Sequence, residues 1–493
     1  MFKIWMWERR GTSVVSHWAE VAQRYGDKKA FGDAISNRIA WYFKRQGFKS
    51  GEVIALFMET CPEYTFTWLG LAKLRVITAL VNTNLRGAQL AHSLRIAGCK
   101  AVIFGDEMSD AIKDIQAEIP DIPLFQCNSP ERESAPVLHN TIPLSSELRE
   151  MTPDPFTEVT QSKPRDTLLY IYTSGTTGFP KAAIITNIRF LLIPLGVHTS
   201  AQLSSSDIIY DPLPLHHTAG GVLGAGQAIV LGCTVALRKK FSASNYWSDA
   251  ARYGCTVSMC QAMMDNRYLS SARTYSCPND QAHKVKVIIG NGLRPQIWQK
   301  FVERFGISRV LEFYGATEGN SNLGLLLGKI DPKKAILTFA GYADKTDSEK
   351  KIVRSVKQEG DFYFNTGDIL VAWRECVYSR SGRSNQLLDW TEGCCRRAGM
   401  AAIIDPEKKL DLTLLSKGLK SSLPAYARPI FIRILHETPL TATFKLKKKD
   451  LMEQGYNISL HKDPIYFMDQ KTGEYIPLTQ KVYDDILQGN VRL

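Results

Sequence analysis

A chain of 493 residues can bury a large core and should divide into two or more domains. Its 44% hydrophobic and 22% charged residues exclude a disordered or fibrous protein. With 61 Lys and Arg against 49 Asp and Glu, the net charge of +12 suits anionic partners such as nucleotides or an anionic membrane surface, while no nucleic-acid module signature occurs.

Residues 1–10 place Phe2, Ile4, Trp5, Met6 and Trp7 ahead of Glu8-Arg9-Arg10. The stretch is too short and interrupted for a signal peptide. It reads as a membrane-touching edge or as the remnant of a longer N-terminal segment. No uninterrupted apolar run reaches the length of a membrane span. The closest, residues 64–81, is broken by Lys73 and Arg75 and reads as a helix packed in the core. Short apolar runs at 53–57, 101–104 and 285–289 read as buried strands, with helical patterns at 89–97 and 295–305. This alternation points to α/β layering around parallel sheets. The Pro- and Ser-containing stretch 128–163 reads as a polar surface connection.

Residues 167–172 read as a further buried strand, followed by Thr173-Ser174-Gly175-Thr176-Thr177-Gly178 and then Phe179-Pro180-Lys181. Glycines let a backbone approach a ligand closely, and hydroxyls and amides donate to phosphate oxygens. Lys181 adds a mobile positive charge. The order points to a nucleotide triphosphate, yet it is not the P-loop pattern G-x-x-x-x-G-K-S/T. After Asp368 the composition changes. Residues 370–397 show little periodicity, order returns with a strand candidate at 398–404, and a small α/β domain follows. The ten cysteines are scattered without a C-x-x-C pair, so a zinc site is not expected and reduced thiols in a cytosol-facing domain are favoured. The sequon Asn457-Ile458-Ser459 reads as a chance match.

Five segments, in order, resemble the signatures of the adenylate-forming, AMP-binding superfamily. They are Tyr172 to Lys181, Pro214-Leu215-His216-His217-Thr218-Ala219-Gly220-Gly221, Gly290-Asn291-Gly292-Leu293-Arg294-Pro295, Phe313-Tyr314-Gly315-Ala316-Thr317-Glu318-Gly319-Asn320 and Tyr363-Phe364-Asn365-Thr366-Gly367-Asp368. A narrower likeness is to the fatty acid transport protein and very-long-chain acyl-CoA synthetase branch. It rests on Trp68-Leu69-Gly70-Leu71-Ala72-Lys73, Asn84-Leu85-Arg86, Ala316-Thr317-Glu318-Gly319-Asn320, Gly341-Tyr342-Ala343-Asp344-Lys345 and Leu423-Pro424-Ala425-Tyr426-Ala427-Arg428-Pro429.

The resemblance implies a large N-terminal α/β domain with layered sheets over 1–370, a smaller mobile C-terminal α/β domain over 398–493, and an irregular hinge-replacing segment, 371–397, between them. It implies ATP, Mg2+ and coenzyme A as co-substrate, with a fatty acid as acyl donor. Tyr172, Thr173, Ser174, Gly175, Thr176, Thr177, Gly178 and Lys181 would hold the phosphates. Gly290, Asn291 and Gly292 would lie beside adenine, on which Tyr314, next to Gly315, would stack. Thr317 would touch the α-phosphate, Glu318 would bind Mg2+, and Asp368 would accept from the ribose hydroxyls. His217 would line the acyl and phosphate end of the pocket, or else be a core histidine. Lys445, in Thr443-Phe444-Lys445, would reach the carboxylate and α-phosphate, although Lys447, Lys448 and Lys449 make the run equally a solvated face. The small-residue stretch 220–226 suits room for an acyl chain and close helix packing alike.

The implied activity is that of an ATP-dependent long- or very-long-chain fatty acyl-CoA synthetase acting through an acyl-adenylate, with thioesterification trapping the acid so that it appears as uptake. The alternatives are a membrane-associated fatty-acid transport or binding protein with impaired synthetase activity, and a bile-acid or other carboxylate–CoA ligase. Membrane association is expected at the endoplasmic reticulum, plasma membrane or peroxisome with the active domain facing the cytosol, and a homo-oligomer is compatible. The family's Asp-Arg-x-Gly-Asp…Arg-Trp-Lys-Gly-Glu-Asn hinge run is not found, and 370–397 occupies its place. The connections at 31–37 and 329–340 are short, and 263–281 fits poorly. These departures mark a divergent protein, an imperfect gene model or a splice form.

Overall fold

A computed structural model describes residues 2–25, 30–129, 136–158, 162–174, 179–261, 280–291, 295–313, 315–319, 327–329, 339–354, 362–365, 370–373, 376–379, 387–390, 398–405, 410–422, 428–436, 451, 454–469 and 472–488. The chain forms two compact units, Met1–Val377 and Tyr378–Leu493.

In the first unit, the apolar runs become strands of two separate sheets. One sheet comprises β1 (Val53–Phe57), β2 (Ile77–Leu80), β3 (Cys99–Gly105), β4 (Leu124–Cys127), β5 (Ile142–Pro143), β6 (Thr167–Ser174) and β7 (Pro180–Thr186), in the spatial order β5-β4-β3-β1-β2-β6-β7. All its pairs are parallel except the closing hairpin β6–β7. Every residue of β1 is buried, because both faces of the sheet are covered. Ile54 and Leu56 enter one core with Trp68 and Phe190, while Val53, Ala55 and Phe57 enter the other with Leu90 and Ile112.

The second sheet is wholly parallel. It comprises β8 (Ile208–Asp211), β9 (Thr234–Leu237), β10 (Val257–Gln261), β11 (Val287–Asn291) and β12 (Arg309–Glu312), in the order β12-β11-β10-β8-β9. The helix Asn187–Ala201 serves both sheets. Its Ile188, Phe190 and Leu191 pack in the first sheet's core, and its Val197 and Ala201 pack with Val257 and Ile289 of the second. A small antiparallel sheet of β13 (Leu327–Lys329), β14 (Ile352–Arg354) and β15 (Phe362–Asn365) follows.

The second unit contains a mixed five-stranded sheet of β18 (Leu387–Trp390), β19 (Ala398–Ile404), β20 (Phe431–Leu435), β21 (Ile465–Met468) and β22 (Tyr475–Pro477). Before it come β16 (Leu370–Trp373) and β17 (Cys376–Ser379). Residues 371–397 are therefore not irregular throughout: parts of three strands lie in them. Each of these strands is only four residues long, too short for a clear periodic signal, and Arg, Ser and Gly stand between them.

Two further expectations change, and of the two readings of 220–226 the packing one is supported. The run 64–81 is not one helix. The helix Pro62–Lys73 stops, Arg75 takes a left-handed conformation at φ 60°, and β2 follows. The charges that interrupt the run are paired: Lys73 is buried against Asp33 at 2.7 Å, and Arg75 meets Asp166 at 2.8 Å. The stretch 128–163 is not only a connection, because it holds β5 and the helix Leu144–Arg149, anchored by the fully buried Leu144. The stretch 220–226 is filled by close packing. A Cβ on Gly221 would lie 2.2 Å from the Leu215 carbonyl oxygen, and one on Gly224 would lie 2.0 Å from Asp211 Oδ2. No helix among the described residues is long and apolar enough to cross a membrane.

Candidate functional site

The β6–β7 register sets Thr173 opposite Lys181 and Ser174 opposite Pro180. Lys181 thus stands at the base of the glycine- and hydroxyl-rich loop, whose Gly175, Thr176, Thr177 and Gly178 lie outside the described residues. Tyr172 needs a correction. Its ring is buried, and its hydroxyl donates to the Ser93 carbonyl at 2.7 Å, so its side chain belongs to the core and not to a nucleotide.

A distant segment docks along the outer edge of β7. Ile184 N–H donates to the Gly341 carbonyl at 3.0 Å and Ala343 N–H to the Ala182 carbonyl at 2.8 Å, so Tyr342 lies beside Ala183. The Tyr342 hydroxyl donates to Glu318 Oε1 at 2.8 Å. Lys181 Nζ lies 5.7 Å from the centre of the Tyr342 ring and 2.9 Å from Asp347 Oδ1. One tyrosine thus brings Lys181 and Glu318 into a single site. Burial, and then the Glu318 charge, push the Tyr342 phenol far above its ordinary value, so it stays a donor. Burial alone would raise the Asp347 carboxyl, but Lys181 and Lys350 hold it below the usual range.

Glu318 sits in a tight loop after β12, where Gly319 N–H donates to the Ala316 carbonyl at 3.0 Å. Arg189, in the first turn of the helix Asn187–Ala201, grips that loop from behind. Its Nη2 donates to the Thr317 carbonyl at 2.7 Å and to the Gly319 carbonyl, and its Nη1 donates to the Glu318 carbonyl at 3.3 Å. Part of the Arg189 side chain stays accessible, but its Nε is sealed from solvent. Burial pulls the guanidinium down to about 10 while Glu318 opposes the shift. From the other direction, the Thr218 hydroxyl donates to the Thr317 hydroxyl at 3.1 Å.

That bond ties the His217 segment to the same loop. His217 is half-buried, with its ring 4.6 Å from that of buried His216. Burial, then His217, hold His216 well below its usual value, so it is a neutral imidazole. Fully buried Asp211 accepts from Leu213 N–H at 3.1 Å, and burial raises its carboxyl well above the ordinary range.

The end of β11 lies beside the start of the Glu318 loop, since Phe313 N–H donates to the Gly290 carbonyl at 3.0 Å. Gly290 answers to its neighbouring strand: a Cβ there would fall 1.8 Å from the Cys260 carbonyl oxygen. Asn291 closes β11, and Gly315 is exposed in the loop before Thr317. Gly292, Tyr314, Asp368 and Lys445 lie outside the described residues. Among the described residues no three His, Cys, Asp or Glu side chains converge on a metal site. A single carboxylate such as Glu318 is compatible with Mg2+, which is commonly held by one or two carboxylates, water and substrate phosphates. A cavity of about 480 Å³ beside Glu59, Lys239 and Lys240 contains none of the expected residues.

Sequence reasoning gave no role to Arg189, Tyr342, Asp347 or Thr218. Tyr342 and Thr218 stand inside recognisable motifs. Arg189 and Asp347 carry no local signal, because their meaning arises from contacts across more than a hundred residues.

Comparison with known proteins fits this geometry. A family model described as "AMP-binding enzyme" matches residues 32–350. Long-chain fatty acid transport protein 1 of Mus musculus is 33% identical over 578 aligned positions, covering 98% of this chain and 89% of the relative. The human protein of that name is 34% identical, covering 93% and 82%, and long-chain fatty acid transport protein 6 of Mus musculus is 31% identical, covering 94% and 86%. An alignment of 578 positions against a chain of 493 means that the relative carries segments this chain lacks. Among solved structures, the anthranilate CoA ligase AuaEII in complex with anthranoyl-AMP superposes with a TM-score of 0.72 at 17% identity, covering 91% of this chain and 98% of that one. ATP-bound MatB from Rhodopseudomonas palustris gives 0.69 at 18%, covering 87% and 93%. A Mycobacterium tuberculosis fatty acyl CoA synthetase gives 0.64 at 16%, covering 90% and 98%. At these identities the structures establish the fold: a large layered α/β unit with a smaller α/β unit after it.

Proposed function

The chain belongs to the AMP-binding enzymes and, among them, to the long-chain fatty acid transport proteins, and on that premise we propose that it is an ATP-dependent long-chain fatty acid–CoA ligase. A fatty-acid carboxylate oxygen attacks the α-phosphorus of ATP, the bond to the β-phosphate breaks, and pyrophosphate leaves. Coenzyme A thiolate then attacks the acyl carbonyl and AMP leaves. Such catalysis comes mainly from positioning and charge stabilisation.

The observation that carries this reading is the meeting of Lys181 and Glu318 at Tyr342. Lys181 would exchange Asp347 for phosphate oxygens. Glu318 would hold Mg2+, which when bound offsets phosphate charge. Thr317 would face the α-phosphate, and Thr173, Ser174 and the loop Gly175, Thr176, Thr177, Gly178 would enclose the outer phosphates. Gly290, Asn291, Gly292, Tyr314 and Gly315 would frame adenine, and Asp368 would accept from the ribose. His217 and Lys445 would flank the acyl carboxylate. Coupling to uptake follows from trapping, because the thioester is charged and does not recross a membrane. Membrane contact would be peripheral in the described part of the chain.

Acid-dependent ATP–pyrophosphate exchange tests the reading. Exchange should rise steeply with chain length, since each buried methylene contributes roughly 0.8 kcal/mol. Glu318→Ala should lower it by about 100-fold, the loss expected when a metal's several-kcal/mol charge stabilisation is impaired. A flat response from acetate to long-chain acids would remove the fatty-acid assignment, and normal exchange by Glu318→Ala would remove the site.

A further inference from the structure

Arg189 occupies a costly place. It is the third residue of its helix, after the N-cap Thr186, whose side chain accepts from the Arg189 backbone N–H. A cation in a first turn opposes the helix dipole, and desolvating a guanidinium adds to the cost. Among the described residues its Nε makes no hydrogen bond. What it does hold is three consecutive carbonyls, those of Thr317, Glu318 and Gly319. No carboxylate oxygen is among these acceptors. The fork of the guanidinium is matched to a backbone shape, and that shape determines where the Glu318 and Thr317 side chains point.

We propose that Arg189 is a positioning residue that fixes the Thr317–Gly319 loop so that Glu318 and Thr317 present their oxygens to Mg2+ and to a phosphate of ATP. The inference rests on the reading of this site as an ATP–Mg2+ site. Glu318 is then oriented twice, through its backbone by Arg189 and through Oε1 by the Tyr342 hydroxyl. Thr317 is oriented likewise, by Arg189 and by the Thr218 hydroxyl. Lysine would not reproduce this hold, because its single nitrogen lacks the fork by which Nη1 and Nη2 reach separate carbonyls.

The test uses the full chain with Arg189→Lys and Arg189→Gln, and measures binding of a non-hydrolysable ATP analogue by calorimetry, in Mg2+ and in EDTA. Residues that support a metal ligand typically change metal affinity by 10- to 100-fold, so both variants should bind the analogue at least about ten-fold more weakly in Mg2+. Binding in EDTA should change by no more than about three-fold, because only the Thr317 hydroxyl's contact with phosphate is then loosened. A residue that only packs would lower the unfolding temperature and leave the Mg2+ increment alone. Combining Arg189→Lys with Glu318→Gln should add little to Glu318→Gln alone, since both changes act through one group. Folded arginine variants with the parent's Mg2+ increment overturn the proposal. If neither variant folds, Tyr342→Phe carries the test, because it removes the other hydrogen bond that orients Glu318 without disturbing a buried charge; an unchanged Mg2+ increment there overturns the proposal equally. A parent chain that does not bind the analogue at all refutes the ATP site itself, a distinct result.

Discussion

Lys181 has two partners before any ligand arrives, the Asp347 carboxylate at 2.9 Å and the face of Tyr342. To reach phosphate it must leave the first. A pair of this kind contributes on the order of 1 kcal/mol, so Asp347→Asn should lower the KM for ATP by about five-fold. A raised KM would mean instead that Asp347 holds the lysine in its working place. Asp211 gives a pH prediction. Its folded carboxyl keeps the proton well above the usual value because burial disfavours the charge. Above about pH 4 the unfolded chain releases this proton and the folded chain does not, so stability falls by about 1.4 kcal/mol per pH unit until the folded value is passed. Asp211→Asn abolishes that slope. Urea unfolding between about pH 4 and 7 should show the variant gaining on the parent as pH rises, and parallel profiles would show that Asp211 is ionised in the fold. The motif residues were legible because each stands in a run of characteristic neighbours. Tyr172 was misread because a strand-ending tyrosine looks the same whether its ring faces a ligand or the core.

At the scale of elements, the wide helical turn Thr218–Gly224 explains the glycines of its region by contact and not by emptiness. Gly221→Ala and Gly224→Ala should each destabilise by about 1–3 kcal/mol, as overpacking does, read as a lowered denaturation midpoint. Gly196 is the control. It lies within the helix Asn187–Ala201 with nothing inside 4 Å of an added Cβ, so Gly196→Ala should stabilise by about 0.5–1 kcal/mol. Equal effects at all three positions would refute the packing account. The strands at 53–57 and 101–104 and the helix at 295–305 were readable from the sequence, because strong periodicity or a continuous apolar run survives local noise. The helix-then-strand division of 64–81 was not, because the left-handed turn at Arg75 uses a residue type that rarely adopts it.

For the whole molecule, the proposed ligase reaction would have the smaller unit serve both half-reactions through a hinge, and the family's hinge run is not found between 370 and 397. This chain should therefore form acyl-adenylate more readily than it completes acyl-CoA. Charge-assisted contacts of the kind an arginine of that run would supply contribute about 1.5–3 kcal/mol, so thioester formation should run roughly ten- to hundred-fold below that of a version carrying the family's hinge segment. Single-turnover measurement of both steps decides it, and equal thioester rates would show that the strands now in that segment are a working substitute.

The sequence by itself determined the class of fold, the family and the order of the motif segments. These depend on local apolar patterns and on short runs whose chemistry is self-contained. The tertiary structure alone decided that Tyr342 joins Lys181 to Glu318, that Arg189 sits behind the Glu318 loop, and that Asp347 competes for the lysine. Each is a hydrogen bond or charge contact between segments far apart in the chain. Its energy depends on distances of a few ångströms that no local pattern encodes: the docking of residues 341–343 along the edge of β7 places Tyr342, and the first turn of the helix Asn187–Ala201 places Arg189.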